Sequence, residues 1–371
     1  MENLVKTFLG KKVWLSGHTG FKGSWMSEWL IALGAKVHGF ALPPHTKPAL
    51  FDQLALAGRM HHEIGDIRDA AAVTASIANC RPDFVFHMAA QPLVRLSYQI
   101  PVETFNTNVI GTLHVLDALR QIQKSKRTCV AVMITTDKCY ENNEWLSSYR
   151  EGDAIGGYDP YSASKGAAEI AIHSMRRSFF NSADSPVRVV SARAGNVIGG
   201  GDWADDRIVP DTVRALNEGR AIPVRNRTST RPWQHVLEPL SGYLSLAAAL
   251  SNISKYPVLQ QARFQPGLSS AAFNFGPHLA SNQTVADLVR EFLLHWPGQW
   301  EDRSDASAPH EASKLNLATD KAFHTIRWSP RWDFSSTVAR TAEWYKQSCK
   351  LSAASDFREL TVRQINKYQE C

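Results

Sequence analysis

From residue 12 onward, short apolar runs alternate with longer stretches in which apolar positions recur at helical spacing. The runs at 13–16, 36–41, 83–88, 129–135 and 187–192 predict strands. The stretches at 25–33, 69–79, 101–120 and 163–179 predict helices, with Gly34 stopping the first and Pro43-Pro44 marking a turn. The run at 129–135 is apolar almost throughout, as expected of a strand buried on both faces of a parallel sheet. Strands alternating with helices predict an α/β protein with a Rossmann-type, doubly wound parallel sheet. After residue 193 the rhythm loosens. Arg214, Arg220, Arg225, Arg227, Arg231 and Trp233 crowd the next forty residues, and the helices look shorter and more separated. The expectation is a first domain over 1–192 and a smaller, mostly helical one over 193–371 whose chain crosses back into the first.

Composition changes this picture little. At 371 residues, 44% hydrophobic and 20% charged, wholesale disorder is excluded. The net charge of +6 suits anionic small molecules and falls short of the dense basic stripe that nucleic acid demands. Five cysteines with no CxxC pair read as reduced thiols, Cys139 as a buried one. No HExxH or similar spacing occurs, so no metal is expected. No run approaches 18 apolar residues, and residues 1–12 carry Lys6, Lys11 and Lys12 on too short an apolar stretch for a signal peptide. A cytoplasmic protein without membrane spans is therefore expected.

The first candidate chemistry is Gly17-His18-Thr19-Gly20-Phe21-Lys22-Gly23, which follows the first strand and opens a helix. Early glycines permit a tight turn and later ones let backbone and helix approach, so that free N–H groups and the helix dipole face a pyrophosphate. A carboxylate for the adenosine ribose is expected about 20 residues further on. None lies between Glu28 and Asp52, where His45 and Lys47 occur instead, which leaves NAD and NADP both open. Asp66, after the third strand, reads as an adenine contact or as a helix cap.

Tyr161 and Lys165, four residues apart at a helix start, share one face; a nearby ammonium is expected to lower the phenol toward a general base. Thr135-Thr136-Asp137-Lys138 ends the fifth strand, at the edge of the sheet where ligands bind. Asp137 and Lys138 can both serve there only if the chain leaves the sheet.

Gly17–Gly23, His87-Met88-Ala89-Ala90-Gln91 and the Tyr161/Lys165 pair resemble the extended short-chain dehydrogenase/reductase family. Thr136-Asp137-Lys138-Cys139-Tyr140, the segment from Arg193 to Trp203 and Arg231-Pro232-Trp233-Gln234-His235-Val236 are similar to its nucleotide-sugar 4,6-dehydratases, in the branch acting on CDP-glucose. The resemblance runs from about Lys11 to past Trp344. It implies bound NAD, contacted by Gly17, Thr19, Gly20, Phe21, Lys22, Gly23, Asp66, Ile67, Ala89, Ala90, Gln91, Asn108, Tyr161 and Lys165. It implies C4 oxidation with Tyr161 as base and Thr136 on the C4 oxygen, loss of water across C5–C6 with Asp137 as acid, and return of hydride to C6. Lys138 stands where the wider dehydratases carry Glu; it either takes the C5 proton as a neutral amine or positions substrate while another group is the base. Substrate contacts are implied at Arg95, Asn196, Arg207, Arg231 and His235. A homodimer or homotetramer is expected, with the 102–119 helix as a pairing surface, and a role in deoxysugar synthesis for bacterial surface polysaccharide (lipopolysaccharide O-antigen). The competing readings are a nucleotide-sugar 4-epimerase, which needs no Asp137 acid, and a non-catalytic NAD(P) sensor, which would not need the Tyr/Lys pair.

Overall fold

The computed structural model describes residues 2–182, 184–262, 267–304 and 314–371. Its centre is a seven-stranded, all-parallel sheet: β1 (Lys12–Ser16), β2 (Lys36–Ala41), β3 (His61–Ile64), β4 (Phe84–His87), β5 (Cys129–Ile134), β6 (Val187–Ala194) and a seventh strand, Ala272–Phe275. Reading across, the seventh strand is followed by β6, β5, β4, β1, β2 and β3. The order reverses between β1 and β4, so a crevice opens at their carboxyl ends. The alternation of side chains assigns each strand to two cores. Val13 and Leu15 of β1 join Val130 and Val132 of β5 on one face, with Trp25, Leu30 and Tyr243 from helices Phe21–Ala32 and Leu237–Ser251. Trp14, Ala131 and Met133 point the other way, onto helices Ala70–Cys80 and Gly111–Lys124. A large apolar side chain buried in this way contributes about 1.5–3 kcal/mol.

The predicted helix over 101–120 is three pieces: Pro101–Phe105, a π-helical segment at Asn106–Ile110, and Gly111–Lys124. The wide segment carries Asn108, whose side chain has partners on two elements; π-segments recur at such functional positions. The helix predicted at 163–179 runs Pro160–Met175 and likewise ends in a π-helical stretch, Arg176–Phe180. Asp69, rather than Asp66, caps the helix Ala70–Cys80, accepting from the Ala71 and Ala72 N–H groups.

The expectation of shorter helices after residue 193 is corrected. Leu237–Ser251, Phe334–Ser348 and Ala354–Glu370 have 15, 15 and 17 residues, as long as the earlier ones. The first is buried nearly all round, so no polar face marks its period. Three two-stranded pairs interleave with these helices: Val197–Ile198 with Gln234–His235, Thr230–Pro232 with Asn282–Thr284, and Ile222–Val224 with Trp300–Asp302. No helix among the described residues is long and apolar enough to cross a membrane.

Candidate active site

The loop after β1 is set by glycine at two places. Gly17 has φ +75°, and a Cβ there would lie 2.8 Å from the Ala89 nitrogen. A Cβ on Gly23 would lie 2.0 Å from the Gly17 carbonyl oxygen, so any side chain would push the helix off the turn. The helix Phe21–Ala32 has no acidic residue in its first turn, leaving its positive end uncompensated. These features fit a dinucleotide pyrophosphate. Thr19 donates to the Leu42 carbonyl at 2.9 Å and ties the loop to the end of β2.

The opposite wall is fastened by Ser16 and Thr112, which motif reading did not single out. Ser16 Oγ accepts from the Met88 and Ala89 N–H groups at 3.0 and 3.1 Å and is hydrogen-bonded to His87 Nδ1 at 2.8 Å. The far His87 nitrogen meets Thr112 at 3.0 Å, and burial takes its pKa down to about 3, so the ring is neutral. Ala89, Ala90 and Gln91 thus follow β4 in a fixed position. Asn108 accepts from the Gln91 N–H at 2.9 Å and donates to Ser164 of the helix Pro160–Met175 at 2.9 Å. The Gln91 side chain accepts from the Leu93 N–H of its own loop and donates to Thr104 of the helix Pro101–Phe105. Ile67 is buried against Gly111, while Asp66 is clamped by Arg68, whose hydrogen bonds lower its pKa. His18 is also buried, hydrogen-bonded to His62 at 2.7 Å, its pKa taken down to about 3 by burial and by His62.

β5 ends at Ile134, and Asp137–Cys139 is a single 3-10 turn capped by Thr136. The chain therefore does leave the sheet where Asp137 and Lys138 need it to. Asp137 is 2% exposed and accepts from Thr136 Oγ1 at 2.9 Å. Burial raises its pKa; the charges of Lys138 and Arg231 and the Thr136 hydrogen bond oppose that without cancelling it. The carboxyl group faces Gly195, where a Cβ would come within 2.9 Å of Oδ2.

Tyr161 and Lys165 share the first turns of the helix Pro160–Met175, capped by Asp159. The expected depression of the phenol is corrected. Burial takes Tyr161 up to about 12, against a lowering hydrogen bond with Thr136, because excluding water costs the phenolate more than its neighbours return. Lys165 comes down to about 8 through burial, with Glu169 opposing. Lys165 Nζ has no hydrogen-bond partner among the described residues. A third lysine enters from the glycine loop: Lys22 donates to Tyr243 at 3.2 Å, and burial together with the Lys165 charge takes it to about 7.

On the other rim, Asn196 is half-buried and its side chain makes no hydrogen bond among the described residues. Arg207 precedes the helix Ile208–Asn217 and pairs with Asp202 at 3.1 Å. Arg231 is buried and donates to Ser229 at 2.6 Å; Arg95, half exposed, lies 3.8 Å from Asp206. His235 does not join them. It is fully buried between the rings of Trp25 and Trp332, with no path to solvent, and its place is in the core.

A sheet crevice with a glycine turn on one lip, and a phenol, an amine and a protonation-prone carboxyl on the other, narrows the ancestry that comparison has to explain. The sequence pattern of the GDP-mannose 4,6 dehydratase family matches residues 15–341. The chain is 45% identical over 366 residues to the CDP-glucose 4,6-dehydratase of Salmonella typhimurium, covering 95% of this chain and 98% of that one. Among solved structures, dTDP-glucose 4,6-dehydratase from Bacillus anthracis in complex with NAD superposes with TM-score 0.72 at 17% identity, covering 94% of this chain and 99% of that one. UDP-glucose 4-epimerase from Thermotoga maritima superposes with TM-score 0.71 at 18% identity, over 91% and 99%. A dehydratase and an epimerase fit equally well, so these two structures speak for the fold alone. The sequence match, spanning both the glycine turn and the Thr136–Lys138 turn, goes further, and the chain belongs to the GDP-mannose 4,6 dehydratase family.

Proposed function

We propose that the protein converts CDP-glucose to CDP-4-dehydro-6-deoxyglucose and water, with NAD as its bound cofactor. The observation that carries this reading is Asp137, a buried carboxyl held toward its protonated form beside Thr136 and Tyr161. A 4-epimerase has no use for such an acid; a dehydratase needs one. The CDP nucleotide is taken from the 45% identical relative.

Bound NAD supplies the two-electron acceptor for C4 and the donor for C6. Gly17, Thr19, Gly20, Phe21, Lys22 and Gly23 would hold its pyrophosphate, and Ala89, Ala90, Gln91 and Asn108 the opposite wall. Asp66 and Ile67 would meet the adenine. Lys165, whose amine meets no hydrogen-bond partner among the described residues, would bind the ribose. Tyr161 would take the proton of the glucose 4-hydroxyl as a phenolate, a form that burial disfavours and that the positive charge of bound NAD beside it would favour. Thr136, hydrogen-bonded to Tyr161, steadies the C4 oxygen. The C4 ketone acidifies the C5 hydrogen. Lys138, on the same turn as Asp137, either takes that proton or positions the substrate while another group is the base. Asp137 gives its proton to the C6 hydroxyl, the C6–O bond breaks and water leaves. Arg95, Asn196, Arg207 and Arg231 would bind the nucleoside diphosphate, the arginines through paired hydrogen bonds to phosphate. The remaining parts of the reading are a first, cofactor-binding domain over 1–192, a second, nucleotide-sugar domain over 193–371, a cytoplasmic setting and a role in deoxysugar synthesis for surface polysaccharide. A homodimer or homotetramer is supported by the exposed Val102, Phe105 and Ile110 along one helical stretch.

The test is to incubate the protein and NAD with CDP-, dTDP-, UDP- and GDP-hexoses and weigh the products. Loss of one water from CDP-glucose alone is expected. Loss from another nucleotide overturns the CDP assignment, and an inverted C4 at unchanged mass moves the reaction to epimerisation.

A further inference from the structure

We propose that His38, His61 and Glu63 form a binding site for a divalent transition-metal ion, Zn2+ by its ligand chemistry, at the β2–β3 edge of the sheet. Among the described residues this is the one group of three metal-capable side chains that converges, with one ligand atom from each lying within 4.8 Å of the others. The convergence follows from strand pairing. His38 of β2 stands directly beside His61 of β3 in the parallel register, and Glu63, two residues on, returns to the same face. Because the ligands come from two strands, no sequence spacing announces them.

The site has a built second shell. His38 Nε2 and Glu63 Oε2 are hydrogen-bonded at 2.7 Å, Ser76 of the helix Ala70–Cys80 donates to that Glu63 oxygen at 2.6 Å, and Trp14 Nε1 donates to Ser76 at 2.9 Å. Such outer partners orient a ligating carboxylate and help set metal affinity. Two imidazoles and a carboxylate are a zinc donor set, each bonding at about 2.0–2.2 Å. That requires the ligand atoms to close to roughly 3.3 Å apart in a tetrahedron, and His61, which is exposed, is free to swing in. His61 also leaves one coordination position toward solvent. Position in the fold separates this cluster from the candidate crevice: it lies within the edge strands β2 and β3, with His38 and His61 in their amino halves, while the crevice lies beyond the carboxyl ends of β1 and β4. A metal here would fasten the edge strand to its neighbour and to the helix behind.

The experiment uses the whole chain, stripped with chelator, titrated calorimetrically with ZnCl2 and spectroscopically with CoCl2. One ion per chain and a higher Zn2+-dependent melting temperature are expected. His61→Ala and, separately, Glu63→Gln should each weaken Zn2+ by at least about tenfold, with unchanged circular dichroism and metal-free melting. Glu63→Gln keeps the shape of the side chain and decides the matter if His61→Ala is poorly folded. Wild-type affinity in both variants would overturn the proposal, as would a wild-type dissociation constant weaker than about 1 mM. So would a thiolate-to-cobalt charge-transfer band, which would place the metal on Cys349 or Cys371, the exposed thiols.

Discussion

Asp137 and Glu169, two of the carboxylates buried in this fold, are each 2% exposed, and their pKa values are shifted in opposite directions. Asp137, on the turn after β5, has hydrogen-bond donors in the Thr136 hydroxyl and the Lys138 backbone N–H, and burial raises its pKa. Glu169 lies two turns along the helix from Tyr161, on the same face. Burial would raise it too, but Arg193 ion-pairs with it at 2.8 Å, Ser191 donates at 2.8 Å and Thr135 also donates, so its pKa is lowered. Arg193 in turn donates to the Tyr140 hydroxyl at 2.8 Å and to the Glu151 carbonyl at 3.1 Å. Equal burial therefore leads to an acid ready to give a proton in one place and a fixed anion in the other. The partners decide which: the Arg193 charge first, with three donors around Glu169 against two around Asp137. The ion pair of Glu169 and Arg193 lies behind the Thr135–Thr136 corner and holds the turn that carries Asp137.

Removing each carboxylate separates these roles. Asp137→Asn should lower the rate of water loss by about 10²–10⁴, the range for one general acid. Stability should move by no more than about 1 kcal/mol, because no buried charge loses its partner. Product mass spectrometry and a urea melt read the two quantities; turnover near wild type would remove Asp137 from the reaction. Glu169→Gln should do the reverse. It leaves Arg193, fully buried, without its counter-charge, at a cost of about 3–5 kcal/mol. The urea midpoint should fall accordingly. An unshifted midpoint would mean that Arg193 finds another partner, and the contrast between the two carboxylates would collapse.

Much of the crevice was legible in the chain, and the layer beneath it was not. Gly17 and Gly23 announce themselves because close backbone approaches exclude every other residue. Tyr161 and Lys165 follow from helical spacing, and β5 from its uninterrupted apolar run. Glu169, Arg193 and Tyr140 come together only through the pairing of β5 with β6 and the packing of a helix across them, which no local spacing encodes. His235 misled for a related reason: a motif neighbour of Arg231, it lies on the next short strand and faces the core instead of the crevice. The depressed phenol expected of Tyr161 failed on magnitude, since adjacency to an ammonium is visible in sequence and loss of water is not.

The smallest expected effect is also the one that tests the comparison most directly, because it depends on opposite signs. Glu169 titrates below the ordinary glutamate range when folded, so the unfolded chain takes up that proton first. Its stabilising contribution is present above the unfolded value and is lost as pH falls from about 4 through the folded one. Asp137 titrates above its ordinary range, so the folded chain keeps a proton that the unfolded chain has released. Its contribution is present at low pH and is lost as pH rises from about 4 through the raised folded value. Urea midpoints from acid to neutral pH should therefore diverge in two directions. The advantage of wild type over Glu169→Gln should shrink on acidification, while Asp137→Asn should gain on wild type as pH rises. Parallel curves for all three proteins would mean that the two carboxylates titrate alike, and that burial rather than their partners sets both.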